Sequence, residues 1–238
     1  MSFPTRTILI VSSDTGIKGK LTDYFTSFGY TINCASTSQH AIEIVNSEFP
    51  NLIIIDIILP KHDGFELCRE IRTKSTIPII LLSPFTSASE RIVGFEVGAD
   101  DYITKPFSPK ELEIRVCNIL KRLTDTNESF RTPIKPKFSF GSLIIDLERK
   151  SISNNNVKIK LTTLEFNILQ LLVTNTGSVL SRADILNNVW GYVPERTIDL
   201  RVVDVHISRL RAKLETDSKS PEYILTIRGG GYMFKNYS

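Results

Sequence analysis

The sequence predicts two units in tandem, an α/β unit on a five-stranded parallel, doubly wound sheet and then a smaller α+β unit. Three observations support this. Short apolar runs at 7–12 (TILIVS), 52–56 (LIIID) and 79–83 (IILLS) alternate with helical periods, as in a parallel sheet covered on both faces. Residues 124–137 (TDTNESFRTPIKPK) lose that periodicity and carry two prolines, so they read as a linker. Beyond them come brief strand runs, further helical periods and a glycine-rich hairpin. A length of 238 residues accommodates two ordinary domains, and 41% hydrophobic residues suffice for their cores. The boundaries drawn are 5–123, the linker 124–137, and 138–236.

In the first unit weaker strands fall near 31–35 and 101–104, completing five strand–helix repeats. The first helix is set by Ile17, Leu21, Tyr24, Phe25 and Phe28, which recur on one face, and Gly29 closes it. The last is set by Leu112, Val116, Ile119, Leu120 and Leu123 in the same spacing. These stripes are read as core.

In the second unit Leu143 to Leu147, Lys150 to Ser153 and Val157 to Leu161 read as strands, with a turn at Asn154-Asn155-Asn156. Thr162-x-x-Glu165 is a capping box that opens a helix with Phe166, Leu169, Leu172 and Val173 on its apolar face, ended by Gly177. Ser181 caps a second helix over 181–190, stopped by Gly191. A third covers about 199–215. Val203, Ile207, Leu210 and Leu214 turn its one stripe inward. Arg201, Asp204, Val205, Ser208, Arg209 and Ala212 then face outward, with His206 and Arg211 at the flanks. Tyr223 to Thr226 and Tyr232 to Phe234 flank Arg228-Gly229-Gly230-Gly231, a hairpin with a basic tip. A helix-turn-helix followed by such a hairpin is a winged helix, whose third helix can enter a DNA major groove.

Composition bounds the rest. A net charge of +3 and a pI near 8.7 are compatible with a nucleic-acid partner. No apolar stretch approaches a membrane span, so no membrane partner is expected. The N-terminus runs straight into a strand pattern and does not read as a signal peptide. Cys34, Cys68 and Cys117 lack metal-type spacing and read as free thiols in a reducing compartment. Isoleucine outnumbers alanine 30 to 6, a bias in keeping with an AT-rich genome.

Chemistry gathers where strands end. Asp56 follows LIII, Ser83 follows IILL, and Lys105 follows YIT and precedes Pro106. In a parallel sheet these ends share one rim, where open α/β sheets bind ligands. A carboxylate, a hydroxyl and an ammonium there can hold a phosphoryl group attached to the carboxylate. Lys105–Pro106 is also a candidate cis bond.

IIIDIILPKHDG, IILLS and GADDYITKPFSPKELEIRV closely resemble a response-regulator receiver domain, and GADDYITKPF with KEL resembles its OmpR/PhoB branch. The resemblance implies Asp56 as phosphoacceptor for a histidine kinase, Ser83 as the switch hydroxyl, Lys105 as the phosphate-binding lysine and Tyr102 as the aromatic that moves with the switch. It also implies a homodimer through the fourth helix, fifth strand and fifth helix, with Arg91–Glu111 and Asp101–Arg115 as pairs crossing that face. The family holds Mg²⁺ with two adjacent acids after its first strand. This sequence has Ser12 and Ser13 there, followed by Asp14. Mg²⁺ would rest on Asp56 with Asp14 as a displaced substitute, and hydroxyls replace carboxylates poorly. Weak metal binding and slow or absent phosphotransfer are expected, with a bias toward a constitutive state.

LTTLEFNILQLLV, LSRADILNNVWG, RVVDVHISRLRAKLE and ILTIRGGGYMF closely resemble the OmpR/PhoB-type DNA-binding domain. By that resemblance Asp204, Val205 and Arg209 face the groove, Arg201, His206 and Arg211 contact phosphates, and Arg228 reaches the minor groove. Val205 suits a thymine methyl and Arg209 a guanine. The loop at 191–198 corresponds to one that meets RNA polymerase. PKHDGFELCREIR, WGYVPER and RVVDVHISRLRAKLE are most similar to regulators of cyanobacteria and red-algal plastids. That implies the plastid stroma, with a bacterial cytoplasm as the alternative.

The expectation is a transcription regulator of a two-component system, binding promoter half-sites as a dimer, and not an enzyme. Two alternatives stand beside it. One is phosphorylation-independent DNA binding. The other is an Asp56-nucleophile phosphatase, which Ile58 disfavours because such enzymes place a second acid at that position.

Overall fold

The computed structural model describes residues 6–60, 62–124, 137–191 and 197–236. It divides into two compact units, Met1–Leu120 and Lys121–Ser238. The expected linker lies almost wholly outside the described residues, as do the side chain of Leu123 and most of the 191–198 loop.

In the first unit β1 (Thr7–Val11), β2 (Thr31–Ala35), β3 (Leu52–Asp56), β4 (Ile79–Ser83) and β5 (Asp101–Thr104) form one parallel sheet in the order β2-β1-β3-β4-β5. The chain moves outward from β1 to β2, then crosses back to β3, which makes the β1/β3 boundary the switch point where open sheets bind ligands. The register aligns Val11 with Ile55, Asp56 with Leu82 and Ser83 with Thr104, so the carboxyl ends share one rim. Ile8–Val11, Leu52–Ile55 and Ile79–Leu82 are all fully buried. Continuous apolar runs are what a sheet covered on both faces requires.

The covering helices are α1 (Thr15–Ser27), α2 (Ser38–Glu48), α3 (Gly64–Lys74), α4 (Ala88–Glu96) and α5 (Pro109–Thr124). Asp14, Thr37, Asp63 and Ser87 cap the first four with side-chain oxygens on amides of the first turn. The α1 stripe needs one correction. Leu21 and Phe25 are buried, but Phe28 at the C-cap is 52% exposed. Lys105–Pro106 is cis, as expected.

The second unit opens with an antiparallel sheet of β6 (Lys137–Phe140), β7 (Leu143–Asp146), β8 (Ser151–Asn154) and β9 (Val157–Ile159). β6 was not expected from the sequence. Asn155 and Asn156 both have positive φ, the geometry of a tight hairpin turn between β8 and β9. Next come α6 (Thr163–Thr174), α7 (Arg182–Trp190) and α8 (Thr197–Leu214), then the hairpin of β10 (Ile224–Ile227) and β11 (Gly231–Phe234). Both anticipated caps are present as reciprocal capping boxes, Thr162 with Glu165 and Ser181 with Asp184, and Gly191 ends α7 in the left-handed region.

The hairpin gains a third partner beside its turn. Leu180 and Tyr232 exchange two backbone hydrogen bonds of 2.8 and 2.9 Å. Gly231, at φ +132°, permits the approach, since a Cβ there would lie 2.1 Å from the Leu180 carbonyl oxygen.

Charge is divided between the units. Residues 1–120 carry 11 Lys and Arg against 14 Asp and Glu, whereas residues 121–238 carry 18 against 12. The basic excess belongs wholly to the second unit, a bias that favours polyanion binding there.

Candidate functional site

Asp56 ends β3 beside the switch point and is only 2% exposed. Its Oδ2 accepts from Lys105 Nζ at 2.5 Å and from Ser12 Oγ at 2.9 Å, and its Oδ1 from the Ile58 amide at 3.2 Å. Burial strips a carboxylate of water, and these donors replace it. Ser12 is itself buried, and its oxygen also accepts from the Asp14 amide at 3.2 Å. Ser13 is exposed, with its hydroxyl 3.5 Å from the Ile58 carbonyl.

Asp14 spends one carboxylate oxygen on its helix. Its Oδ1 accepts from the Gly16 and Ile17 amides at 2.8 and 3.0 Å as the N-cap of α1. The Ile17 amide is the chief cause of a carboxyl held below its usual range. Mg²⁺ prefers several oxygen ligands, chiefly carboxylates and waters, in a near-octahedral shell. Among the described residues no group of three or more His, Cys, Asp or Glu could hold a metal. Asp56 Oδ2 already faces an ammonium, and Asp14 is occupied by its helix. The described donor set therefore fits Mg²⁺ poorly.

Ser83 and Tyr102 act on one loop. The buried Ser83 Oγ accepts from the Phe85 amide at 3.0 Å, and Tyr102 Oη donates to the Phe85 carbonyl at 3.2 Å. Tyr102 is 1% exposed, and burial pushes its phenol up from the ordinary tyrosine range. Its seat is made by Gly94 of α4, where a Cβ would lie 2.7 Å from the Tyr102 ring. Nearby, Arg115 Nη1 lies 3.1 Å from both Asp101 carboxylate oxygens, and its Nη2 lies 3.1 Å from Glu111 Oε1. These acids converge on Arg115 within one chain. Arg91 is half-buried on α4.

In the second unit α8 buries Val202, Val203, His206, Ile207, Leu210 and Leu214. Arg201, Ser208 and Ala212 are exposed on its other side, with Asp204 and Val205 half-buried beside them. Arg228 is exposed at the hairpin tip. Arg211 ties α8 to the hairpin, donating to the Ile224 carbonyl from Nε at 3.0 Å and from Nη2 at 2.6 Å, and to Thr226 Oγ1 at 2.8 Å. Arg209 turns the other way, with Nη2 3.4 Å from Oε1 of the fully buried Glu165 on α6. Lys213 Nζ donates to Glu165 Oε2 at 2.6 Å.

Comparison with known proteins follows the same division. Residues 8–117 match the family of response regulator receiver domains, and residues 156–234 match the C-terminal domain of transcriptional regulatory proteins. The chain is 46% identical over 228 residues to the probable transcriptional regulator ycf27 of Pyropia yezoensis, covering 96% of this chain and 94% of that one. It is 44% identical over 238 residues to ycf27 of Cyanophora paradoxa, covering all of both. DrrB, an OmpR/PhoB homolog from Thermotoga maritima, is 32% identical with a TM-score of 0.51, over 98% of this chain and 100% of that one. A RitR mutant shares the fold at a TM-score of 0.74 and 23% identity, over 96% and 98% of the two chains.

The chain belongs to the OmpR/PhoB-type response regulators.

In this response regulator the rim residues expected from the sequence, Asp56, Ser83, Tyr102 and Lys105, lie together around the carboxyl ends of β3, β4 and β5. The DNA-face residues are more scattered. His206, expected at a phosphate, is 0% exposed and packs edge-on against Trp190 at 5.3 Å between ring centroids. It is a core residue. Arg209 and Arg211 point at Glu165 and at the Ile224 carbonyl, so Arg201 and Arg228 are the exposed cations of the expected set.

The tertiary roles of four residues were missed. Arg182, Tyr232 and Glu165 act through partners distant in sequence, such as Lys213, 48 residues from Glu165. Gly94 carries no local signal of its contact with Tyr102.

Proposed function

We propose that this response regulator binds duplex DNA as a homodimer on promoter half-sites, with α8 in the major groove and the β10–β11 hairpin reaching the adjacent minor groove through Arg228. The observation that carries this is the outward side of α8. Arg201, Val205 and Ser208 stand on a helix whose opposite side is buried and apolar but for His206, in a unit with the chain's whole basic excess. Dimerisation through α4, β5 and α5 would place Arg91, Asp101, Glu111 and Arg115 at the interface. The 191–198 loop is the proposed contact with RNA polymerase. The algal relatives support residence in a plastid stroma, with a bacterial cytoplasm as the second compartment. Footprinting of the full chain on its native genome, with and without acetyl phosphate and Mg²⁺, tests this. Protected sites with two similar half-sequences are expected, and uniform weak binding would overturn it.

A second observation favours one form of regulation. In the conventional scheme a histidine kinase supplies phosphate to Asp56, and Ser83 and Tyr102 then reset the dimer face. Here Ser12 Oγ and Lys105 Nζ already occupy Asp56 Oδ2, no fitting metal set accompanies it among the described residues, and Tyr102 is already seated inward. The reading these contacts support is DNA binding with little dependence on phosphorylation. Mass measurement after acetyl phosphate and Mg²⁺ treatment should find little adduct on Asp56. Stoichiometric labelling would restore the conventional scheme. Ile58, at the position where a phosphatase would place its second acid, is exposed and apolar, which speaks against Asp56-based ester hydrolysis.

A further inference from the structure

Three polar side chains from three elements close a ring beneath the outward side of α8. Arg182 Nε on α7 donates to Asp204 Oδ1 at 2.6 Å, and Tyr232 Oη on β11 donates to the same oxygen at 2.6 Å. Arg182 Nη2 donates to Tyr232 Oη at 3.3 Å, and its guanidinium carbon lies 4.9 Å from the centre of the Tyr232 ring. Tyr232 is almost fully buried, whereas the Asp204 side chain is 40% exposed. Two donors therefore converge on one carboxylate oxygen from inside the protein. The other, Oδ2, has no hydrogen-bond partner among the described residues and lies on the half-buried margin of the outward side.

This arrangement answers a difficulty. An unpaired carboxylate on a surface that meets phosphates is repelled, and a single mobile acid reads a base poorly. Arg182 offsets the charge, and the paired bonds fix the carboxylate's rotation. What is presented outward is one oriented oxygen that can only accept. In the major groove guanine offers two acceptors and thymine an acceptor and a methyl group. Adenine offers a donor next to the N7 acceptor, which repels a carboxylate. Cytosine offers the N4 donor without an adjacent ring acceptor.

We infer that Arg182 and Tyr232 are positioning residues that orient Asp204 to read a cytosine in each half-site. This rests on the reading that α8 enters the major groove. Burial first, and then the Asp204 bond, pushes the Tyr232 phenol up to about 12, so Tyr232 remains a donor at any physiological pH.

The experiment uses the full chain. Selection from a randomised duplex library defines the preferred half-site, and competition with singly substituted duplexes then measures preference at each position. At one position cytosine should be preferred roughly tenfold. Asp204→Ala should abolish that preference alone. Tyr232→Phe, which keeps the ring, should reduce it severalfold while other positions and the salt slope stay unchanged. Arg182→Met serves as the second variant if Tyr232→Phe fails to fold. No cytosine preference, a preference that survives Asp204→Ala, or equal weakening on every duplex by Tyr232→Phe would overturn the inference. Failure of the underlying reading looks different: Arg201→Ala would leave the salt slope intact and Val205→Ala would shift no base preference.

Discussion

Asp56 in the first unit and Glu165 in the second are both buried against a lysine, and they sit in different settings. Asp56 meets Lys105 at 2.5 Å, and Glu165 meets Lys213 at 2.6 Å. Both are nearly or fully removed from solvent. Glu165 Oε2 also accepts from the Thr162 amide at 2.9 Å, in the same turn that its own amide joins to Thr162 Oγ1. It is part of how α6 begins, and it fastens α8 to that beginning. Asp56 is held by the side chains that directly follow β1 and β5, Ser12 and Lys105, at a strand terminus beside the switch point. Burial and a lysine partner thus do not mark a functional carboxylate. What sets Asp56 apart is its place at the rim of the sheet.

Removing each carboxylate tests this contrast most strongly. Glu165→Ala deletes half of a capping box and leaves Arg209 and Lys213 without their acid. It should destabilise the second unit by about 3 kcal/mol. Asp56→Ala should shift the first unit by no more than about 1 kcal/mol, because Lys105 can turn to solvent. Urea unfolding of the full chain, followed by Trp190 fluorescence and by far-ultraviolet dichroism, separates the two transitions. Equal losses would erase the distinction.

The next effect lies in the seat of Tyr102. Gly94→Ala places a methyl group where the ring now packs and should cost about 1–3 kcal/mol. Adding Tyr102→Ala should recover most of that cost. Additive losses in the same urea experiment would mean that Gly94 has some other purpose.

A smaller pair of changes sets α8's inner arginine against its outer one. Arg209→Ala should lower stability by about 1 kcal/mol and leave the salt slope of DNA binding unchanged, since its guanidinium faces Glu165. Arg201→Ala should leave stability within about 0.5 kcal/mol and reduce the slope by about 1. Electrophoretic mobility shifts across a salt series distinguish them, and a reduced slope for Arg209→Ala would move that residue onto the DNA.

The smallest effect is confined to high pH. The folded Tyr232 phenol titrates at about 12, against about 10 for the unfolded chain. Its stabilising contribution is complete below pH 10 and is lost as pH rises through 12. The stability advantage over Tyr232→Phe should therefore shrink across that window and remain constant below it. Unfolding at pH 9 and pH 11.5 provides the comparison.

Much of this was legible from local chemistry. The runs LIIID and IILLS specified strands buried on both faces, and their end residues specified the rim. The Thr162–Glu165 capping box, the Ser181 cap and the Asn155–Asn156 turn were visible because their interactions close within a few residues. β6 was hidden because KFSF follows the proline-bearing stretch directly and pairs only with β7. His206 was misplaced through its charge type, although its spacing from Val203 and Leu210 already put it on the buried stripe. Arg209 and Asp204 were read by their outward angle on the helix. Their partners, Glu165, Arg182 and Tyr232, are brought to them only by tertiary packing, and no helical periodicity encodes that.

The bridge between Leu180 and Tyr232 has a consequence for how the hairpin tolerates change. Its turn end is held by backbone bonds on both sides of β11, and Gly231 leaves no room for a side chain. Amide protons of Leu180 and Tyr232 should exchange with solvent only through opening of the whole unit, while that of Gly229 at the tip exchanges freely. Residues inserted at the tip lengthen the reach without shifting the register below it. A residue inserted between Gly231 and Tyr232 displaces the Tyr232 ring and its bond to Asp204 on α8, while the Arg211 bonds to β10 stay in place.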